Sequence, residues 1–410
     1  MSSVAHDDAG TAASHSVLLL EPHDGVPAVL ERRAELRAAL EPFTASTGPV
    51  AFDAERASGY RYGQRAYLVQ LRRPGAGTLL LDPIALADLT PVERTFLDDE
   101  WVIHAATQDL PCLAEVGLVP HRLFDTELAG RLLGYPRVAL GTLVETLLGY
   151  TLEKGLASVD WSTRPLPHDW LVYAALDVEL LVELRDRLEG ELDAAGKLDW
   201  ARQEFAHLLT VPPRPPQAEP WRRTSGIHRV RDPRALAIVR SLWFARDQLA
   251  RQRDSAPGRV LADNAIVETA LAAPRTIDAV REVPGVSARR GASAARTWLA
   301  AVQSALAEDE QDLPTRRQEG NGLPPTNRWS DKQPEAATRL TAVREALAVL
   351  SERLLVPVEN LLPPAAVRQL AWQPPETVSA ASVGDALRDN GAREWQVEVG
   401  AADLARALAS

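Results

Sequence analysis

The amino-acid sequence predicts an α/β domain built on a mixed sheet, followed by two small all-helical domains. Three observations lead to this fold class. The first half of the chain alternates short runs rich in β-branched and aromatic residues with stretches of helical periodicity, whereas the second half is helical in pattern throughout. Two stretches rich in proline and polar residues interrupt the pattern. The length of 410 residues also suits two or three domains of roughly 150 residues each.

The hydrophobic pattern indicates the elements of the first domain. Two of its four predicted strands are nearly continuous apolar runs, which is typical of strands buried on both faces. The longest predicted helix follows Pro165 and Pro167, since proline is common at the start of a helix. The predicted strands are 48–55, 66–73, 77–82 and 101–105, and the predicted helices are 84–97, 109–116 and 168–188.

Composition divides the chain into six segments. Residues 211–220 contain five prolines, which favours an extended linker. The last helical region repeats features of the one before it at an offset of 100 residues, as in Val267 and Val367, so we expect a degenerate duplication. The expected segments are a disordered tail at 1–15, the α/β domain at 16–208, a linker at 209–226, a helical domain at 227–308, a linker at 309–334 and a second helical domain at 335–410.

The composition excludes several classes of protein. With 46% hydrophobic and 25% charged residues, the chain is neither largely disordered nor fibrous. Cys112 is the single cysteine, so the chain can form neither an intramolecular disulfide nor a cysteine-built metal cluster. No segment has the pattern of a signal peptide or a membrane span. We therefore expect a cytoplasmic protein with no membrane partner.

Charge is distributed unevenly along the chain. The net charge of −11 argues against nucleic-acid binding over the whole surface. Residues 226–305, however, contain 13 arginines against 7 acidic residues, which indicates one phosphate-contacting module. A solvated arginine-rich face is the alternative. The candidate patch comprises Arg251, Arg253, Arg259, Arg289 and Arg290.

Two carboxylates stand two residues apart on the first long strand. Because side chains alternate along a strand, Asp53 and Glu55 point to the same face, opposite Phe52 and Ala54. A solvated strand end is the alternative. A third acid, Asp109, follows a later strand and opens a helix, where it could merely favour the helix dipole.

A fourth acid lies in the long predicted helix. Tyr173 and Asp177 are four residues apart, so they share one helical face that is otherwise apolar. A carboxylate is costly to bury there without a partner, and a metal ion is one such partner. Four acids could together hold two divalent cations, and oxygen-only ligands select Mg²⁺ or Mn²⁺. Such a site suits phosphodiester hydrolysis, although spacing alone does not establish that the groups converge.

Three motifs in order resemble those of a known family. The motifs are FDAE, HAATQD and YAALD, and their order resembles the three exonuclease motifs of the DEDD superfamily in its tyrosine subclass. The intervening segments FDTELAGRLLG, LGTLVETLLGYTLEK and DWSTRPLP resemble ribonuclease D in particular. The resemblance covers 50–188. Region 227–308 resembles the helical HRDC module of helicases and ribonuclease D, and region 335–410 resembles a degenerate second copy.

The resemblance implies a ribonuclease H-like mixed sheet with flanking helices and two HRDC-like domains. It implies that Asp53, Glu55, Asp109 and Asp177 bind two divalent cations and that Tyr173 positions the hydrolytic water. It further implies a 3′-to-5′ exoribonuclease that releases nucleoside 5′-monophosphates and trims transfer RNA precursors. Nothing in the sequence points to an obligate protein partner.

Further residues are candidates for substrate binding, each with a structural alternative. His104 could approach the leaving group or simply make a hydrogen bond at a strand end. Tyr60 and Tyr62 could stack on a terminal base or pack over a turn. Lys154 and Arg164 could reach a substrate phosphate. Asp125 could support the site or cap a helix.

Two alternative functions stay open at this point. A 3′-to-5′ DNA exonuclease of the proofreading kind shares the three motifs. A non-catalytic RNA-binding scaffold could retain the same fold.

Overall fold

The computed structural model describes residues 16–152, 155–156, 158–212, 217–286, 291–315 and 322–409. The tail expected at 1–15 lies outside the described residues. No helix within the described ranges is long and apolar enough to cross a membrane.

The first domain is built on a mixed sheet, as predicted, and this sheet has six strands. Its strand order is β2-β5-β4-β3-β6-β7, and a separate two-stranded sheet pairs β1 with β8. The central strand β3 runs antiparallel to β4 and parallel to β6, and the four predicted strands correspond to β3 through β6. The strands are β1 (Val17–Leu19), β2 (Val29–Leu30), β3 (Val50–Arg56), β4 (Ala66–Arg73), β5 (Gly77–Leu81), β6 (Glu100–Ile103), β7 (Arg122–Asp125) and β8 (Tyr150–Leu152).

Nine helices of the first domain flank these strands within the described residues. They are α1 (Arg33–Ala45), α2 (Pro83–Leu86), α3 (Thr90–Thr95), α4 (Leu110–Glu115), α5 (Thr126–Leu133), α6 (Leu140–Leu148), α7 (His168–Glu179), α8 (Leu181–Ala194) and α9 (Leu198–Thr210).

Two predicted helices are divided in the structure. The helix expected at 84–97 is interrupted at Ala87, whose left-handed backbone (φ 64°) ends α2. The helix expected at 168–188 is interrupted at Leu180 (φ −106°, ψ 8°). This break lets α7 pack over β3, β4 and β5 while α8 packs against β6 and α5. Packing against different elements explains it, since local sequence offers no helix breaker there.

The second domain is all-helical, as predicted, but it begins earlier than expected. A 3₁₀ turn at Pro220–Arg223 places Trp221, which is 1% exposed, in the core of this domain. Because α9 also continues to Thr210, the stretch between the two cores is shorter than the predicted 209–226. Pro257 and Gly258 begin a short helix. The helices are α10 (Pro233–Gln252), α11 (Pro257–Val260), α12 (Asp263–Ala272), α13 (Ile277–Glu282) and α14 (Gly291–Leu306).

The third domain is also all-helical and repeats the helix order of the second. Its helices are α15 (Trp329–Lys332), α16 (Pro334–Leu354), α17 (Val358–Leu361), α18 (Pro364–Trp372), α19 (Ala380–Asp389) and α20 (Glu394–Ala409). The buried Trp329 belongs to its core, so this domain too begins before the predicted boundary. Helices α16, α17 and α18 start 101 residues after α10, α11 and α12. The predicted offset of 100 was therefore wrong by one residue, and buried Ile266, not Val267, corresponds to Val367.

The third domain packs directly on the first. Trp200 of α9 and Trp395 of α20 stack with ring centroids 4.7 Å apart. Arg393 donates two hydrogen bonds of 2.7 Å to the Glu204 carboxylate, and Trp395 Nε1 donates to the same group at 2.8 Å. The apolar residues of the two domains thus form one continuous core.

Candidate active site

The carboxylates of β3 lie on one face of the strand, as the alternation predicts. Ala54 between them and the preceding Phe52 face the core, and Phe52 stacks on Trp101 at 3.8 Å between ring centroids. Asp53 pairs in register with Gln70 of β4, whose Nε2 donates to Asp53 Oδ2 at 3.1 Å. The central position of β3 therefore holds the Asp53 carboxylate in a fixed orientation.

Helix α7 brings the fourth acid over this face. It packs across β3, β4 and β5, and Asp177 projects from it toward the strand. One carboxylate oxygen each of Asp53, Glu55 and Asp177 lies within 4.8 Å of the others. Tyr173, one turn earlier, lines the same cavity as Asp177. This packing brings the strand and the helix side by side, although their acids are more than 120 residues apart in the sequence.

Asp109 enters the same cavity from a different direction. It occupies the N-cap position of α4, but its side chain accepts no capping hydrogen bond from the helix. The side chain is buried, and its Oδ1 lies 3.7 Å from Arg56 Nη2. Asp109 stands outside the group of three close carboxylates, on another wall of the cavity.

These side chains surround one cavity of about 400 Å³. Its polar lining is dominated by carboxylates, with Arg56 and His104 as the basic residues among the described lining. The lining residues are Asp53, Ala54, Glu55, Arg56, Ser58, His104, Ala105, Gln108, Asp109, Leu140, Tyr173, Asp177 and Leu181.

The pKa values of all four acids are raised above their ordinary range, chiefly by burial. Burial, followed by the charges of Asp53, Asp177 and Asp109, raises the pKa of Glu55 to about 10. Burial and the Asp53 charge raise the pKa of Asp109 to about 8. Burial likewise raises the pKa values of Asp53 and Asp177. Without a cation, these carboxylates are held in a protein environment that disfavours their charged form.

Arg56 is a site residue that the sequence analysis did not select. Strict alternation would turn it away from Glu55, but the pairing of β3 with β4 shifts register between Glu55 and Arg56. The irregularity lets both side chains line the cavity. Its only sequence signal is a positive charge directly after the acidic motif.

Asp125 both caps a helix and supports the site. Its carboxylate accepts the backbone N–H groups of Glu127 and Leu128 at the start of α5. It also accepts those of Ala105 and Ala106, at 3.1 and 2.9 Å. These two residues begin the turn that ends at Asp109, so Asp125 fixes that turn.

Among the residues expected to bind substrate, His104 lines the cavity. Burial lowers the pKa of His104 to about 4, so the ring is neutral at pH 7, and its Nδ1 lies 2.9 Å from Thr126 Oγ1. Tyr60 and Tyr62 do not line the cavity. Tyr60 lies under the Arg259 guanidinium, 4.1 Å from the ring centroid, and Tyr62 contacts the second domain. Both tyrosines thus pack against the second domain, and base stacking by either of them stays a prediction.

Arg164 also makes its hydrogen bonds outside the cavity. Its Nε donates to Asp82 at 2.7 Å, and its terminal nitrogens donate to the backbone carbonyls of Tyr67, Trp161 and Thr163. The guanidinium organises the chain before α7 and does not reach the cavity. Lys154 lies outside the described residues.

Three arginines of the predicted patch lie within the described residues. Arg251 and Arg259 contact the loop that carries Tyr60 and Tyr62. Arg253 is exposed beside them. Arg289 and Arg290 lie outside the described residues.

Family models match all three domains. A 3′-5′ exonuclease model matches residues 28–193 and an HRDC domain model matches residues 235–302. Residues 322–408 match a 3′ to 5′ exonuclease C-terminal domain model. The expected exonuclease and HRDC folds are thereby confirmed, while the third domain carries a different family description. Its origin as a second HRDC-like copy stays a prediction.

Curated relatives named ribonuclease D share about a third of aligned residues. The protein from Nitrobacter hamburgensis is 36% identical over 224 residues, 52% of this chain and 56% of the relative. That from Jannaschia is 32% identical over 289 residues, 68% of this chain and 72% of the relative. The chain thus spans between about half and three quarters of these relatives' length.

Two solved structures are similar over most of the chain. A protein from Bifidobacterium adolescentis is 39% identical with a TM-score of 0.87, covering 96% of this chain and 100% of that one. Escherichia coli RNase D, described as an exoribonuclease involved in structured RNA processing, is 25% identical with a TM-score of 0.65, covering 88% of this chain and 98% of that one. Together with the Jannaschia alignment and the clustered acids, these matches establish that the chain belongs to the ribonuclease D family.

Proposed function

We propose that this protein is a metal-dependent 3′-to-5′ exoribonuclease that hydrolyses RNA from its 3′ end and releases nucleoside 5′-monophosphates. The observation that carries the proposal is the convergence of Asp53, Glu55 and Asp177 within 4.8 Å, with Asp109 in the same cavity. Precursors of transfer RNA are the proposed substrates, because the chain belongs to the ribonuclease D family.

The residues of the cavity fit a pair of hard divalent cations. All four acids offer oxygen ligands, which suit Mg²⁺ or Mn²⁺. Their burial and mutual repulsion leave a deficit of positive charge that Arg56 offsets only in part. When bound, two such ions would activate the attacking water and stabilise the leaving 3′-oxygen.

The chain's own residues supply orientation. Gln70 and the sheet fix Asp53, and Asp125 fixes the turn leading to Asp109. Burial, and after it the Asp177 charge, raises the pKa of Tyr173, so its phenol keeps its proton. That proton is hydrogen-bonded to Asp177 in the metal-free site and could be donated to a water molecule once Asp177 binds a cation. In its ionised form, the Glu55 carboxylate would accept a proton from the same water.

The test is hydrolysis of an RNA labelled at its 5′ end, with Mg²⁺ or with EDTA. We expect stepwise shortening from the 3′ end with Mg²⁺ alone, and mononucleotides as products. Asp177→Asn should lower turnover at least about a hundredfold, equivalent to about 2.7 kcal/mol of activation free energy. Asp193→Asn, the same change at an exposed position on α8, is the control.

Two outcomes would redirect the assignment. Faster hydrolysis of DNA than of RNA of the same sequence would favour a DNA exonuclease, since the 2′-hydroxyl would then not be required. RNA binding without metal-dependent release of mononucleotides would indicate a scaffold. A transfer RNA precursor with a 3′ extension, compared with an unstructured RNA of equal length, tests the proposed substrate.

A further inference from the structure

The loop between β3 and β4, residues 57–65, is held from outside by the second domain. Arg259 Nε donates to the carbonyl oxygen of Gly59 at 2.6 Å, and the backbone N–H of Ala256 donates to that of Tyr60 at 3.0 Å. The Arg259 guanidinium also covers the Tyr60 ring. Two consecutive carbonyl groups of the loop are thus bound by α11 and by the turn that precedes it.

The second half of the loop is bound by α10 and the turn that follows it. Tyr62 packs against the apolar core of the second domain, and its hydroxyl donates to Asp247 at 3.0 Å and accepts from Arg251 at 2.9 Å. The Tyr62 N–H donates to Asp254 at 3.3 Å, and Arg61 lies 3.6 Å from the same carboxylate. We call the second-domain side of these contacts, Asp247, Arg251, Asp254, Ala256 and Arg259, the latch.

The start of the same loop contributes to one wall of the catalytic cavity through Ser58. Arg56, at its base, lies 3.7 Å from Asp109, and Ser58 lines the cavity one residue before Gly59. On its inner side, Arg61 Nε donates to Ser162 Oγ at 2.7 Å. The loop therefore lies between the latch and the segment that leads into α7, so its position depends on both.

We propose that the latch positions this wall, so that the second domain takes part in hydrolysis of the terminal nucleotide in addition to any role in holding RNA. The proposal rests on the proposed exonuclease function. Its physical basis is distance: Ser58 is two residues after Arg56, and Gly59, one residue further along, carries the first latched carbonyl. A displacement of about 1 Å near reacting groups can lower a rate by about a hundredfold.

The test uses Arg259→Ala in the full chain, with Arg275→Ala as the matched control, since Arg275 is an exposed arginine of the same domain outside the latch. Both are assayed on a dinucleotide and on a long RNA. We expect Arg259→Ala to lower kcat about tenfold or more on both substrates by similar factors. Arg275→Ala should leave the dinucleotide rate unchanged. A loss on the long RNA alone would overturn the proposal, because it would indicate a phosphate contact instead.

Hydrogen–deuterium exchange provides a readout that does not need activity. Amides of residues 57–65 should exchange faster in Arg259→Ala and at the wild-type rate in Arg275→Ala. Tyr62→Phe, which removes a single hydroxyl, should accelerate the same amides and guards against unfolding of the arginine variant. Unchanged exchange in both latch variants refutes the latch. A wild-type protein inactive on both substrates would refute the exonuclease function. The exchange data would still test whether the latch holds residues 57–65.

Discussion

Replacing Asp177 by asparagine should stabilise the metal-free protein while it abolishes most activity. Asp177 is buried within 4.8 Å of two other carboxylates. Two full charges at that separation repel by about 3.5 kcal/mol at an effective dielectric constant of about 20. Shared protons reduce the repulsion, so we expect the free energy of unfolding to rise by about 1–3 kcal/mol in EDTA.

In Mg²⁺, we expect wild type to be more stable than Asp177→Asn, the reverse of the order expected in EDTA. A ligand that binds only the folded state stabilises it by about 2.7 kcal/mol at a hundred times its Kd. Wild type should gain this stability, whereas Asp177→Asn should gain much less because one oxygen ligand is lost.

The measurement is urea unfolding followed by tryptophan fluorescence, in EDTA and in saturating Mg²⁺, with Asp193→Asn as the control for an exposed aspartate. The two curves of wild type and Asp177→Asn should exchange order between the conditions. A variant less stable than wild type in EDTA would refute the reasoning, because Asp177 would then be a net stabilising group and not part of a repulsive cation site.

Three further predictions concern the acids and the domain contacts. In EDTA, the free energy of unfolding should fall from pH 5 to pH 9. Burial raises the pKa of Glu55 to about 10 and that of Asp109 to about 8. The folded state therefore binds more protons than the unfolded chain and loses stability as the pH rises. Urea midpoints at each pH check this, and a flat profile contradicts it. Asp125→Ala should lower the free energy of unfolding by about 2 kcal/mol, since four backbone N–H groups lose their acceptor. The same change should weaken Mg²⁺ binding in a calorimetric titration. Unchanged metal affinity would show that the turn leading to Asp109 does not depend on Asp125. Arg393→Ala should destabilise the chain by about 3 kcal/mol because it leaves the buried Glu204 carboxylate without its cation. A denaturation midpoint equal to that of wild type would show that the third domain docks through its apolar contacts alone.

The elements that carry the four acids, and the placement of each acid within them, could be predicted from the sequence. Alternation along β3 placed Asp53 and Glu55 on one face, and the spacing of four residues placed Tyr173 and Asp177 on another. These predictions succeed because the period of a strand or a helix is a property of the backbone itself. The order of the motifs then indicated the family.

The tertiary structure alone decided which groups meet. Asp177 reaches β3 because α7 crosses the sheet, and α7 ends at Leu180 because α8 packs elsewhere. Arg56 joins the cavity through a register shift between two strands, which no single-strand pattern contains. Tyr60 and Tyr62 bind the second domain, more than 180 residues away along the chain. Such contacts depend on how surfaces from distant parts of the chain fit together. The local sequence pattern around each residue does not identify its partner.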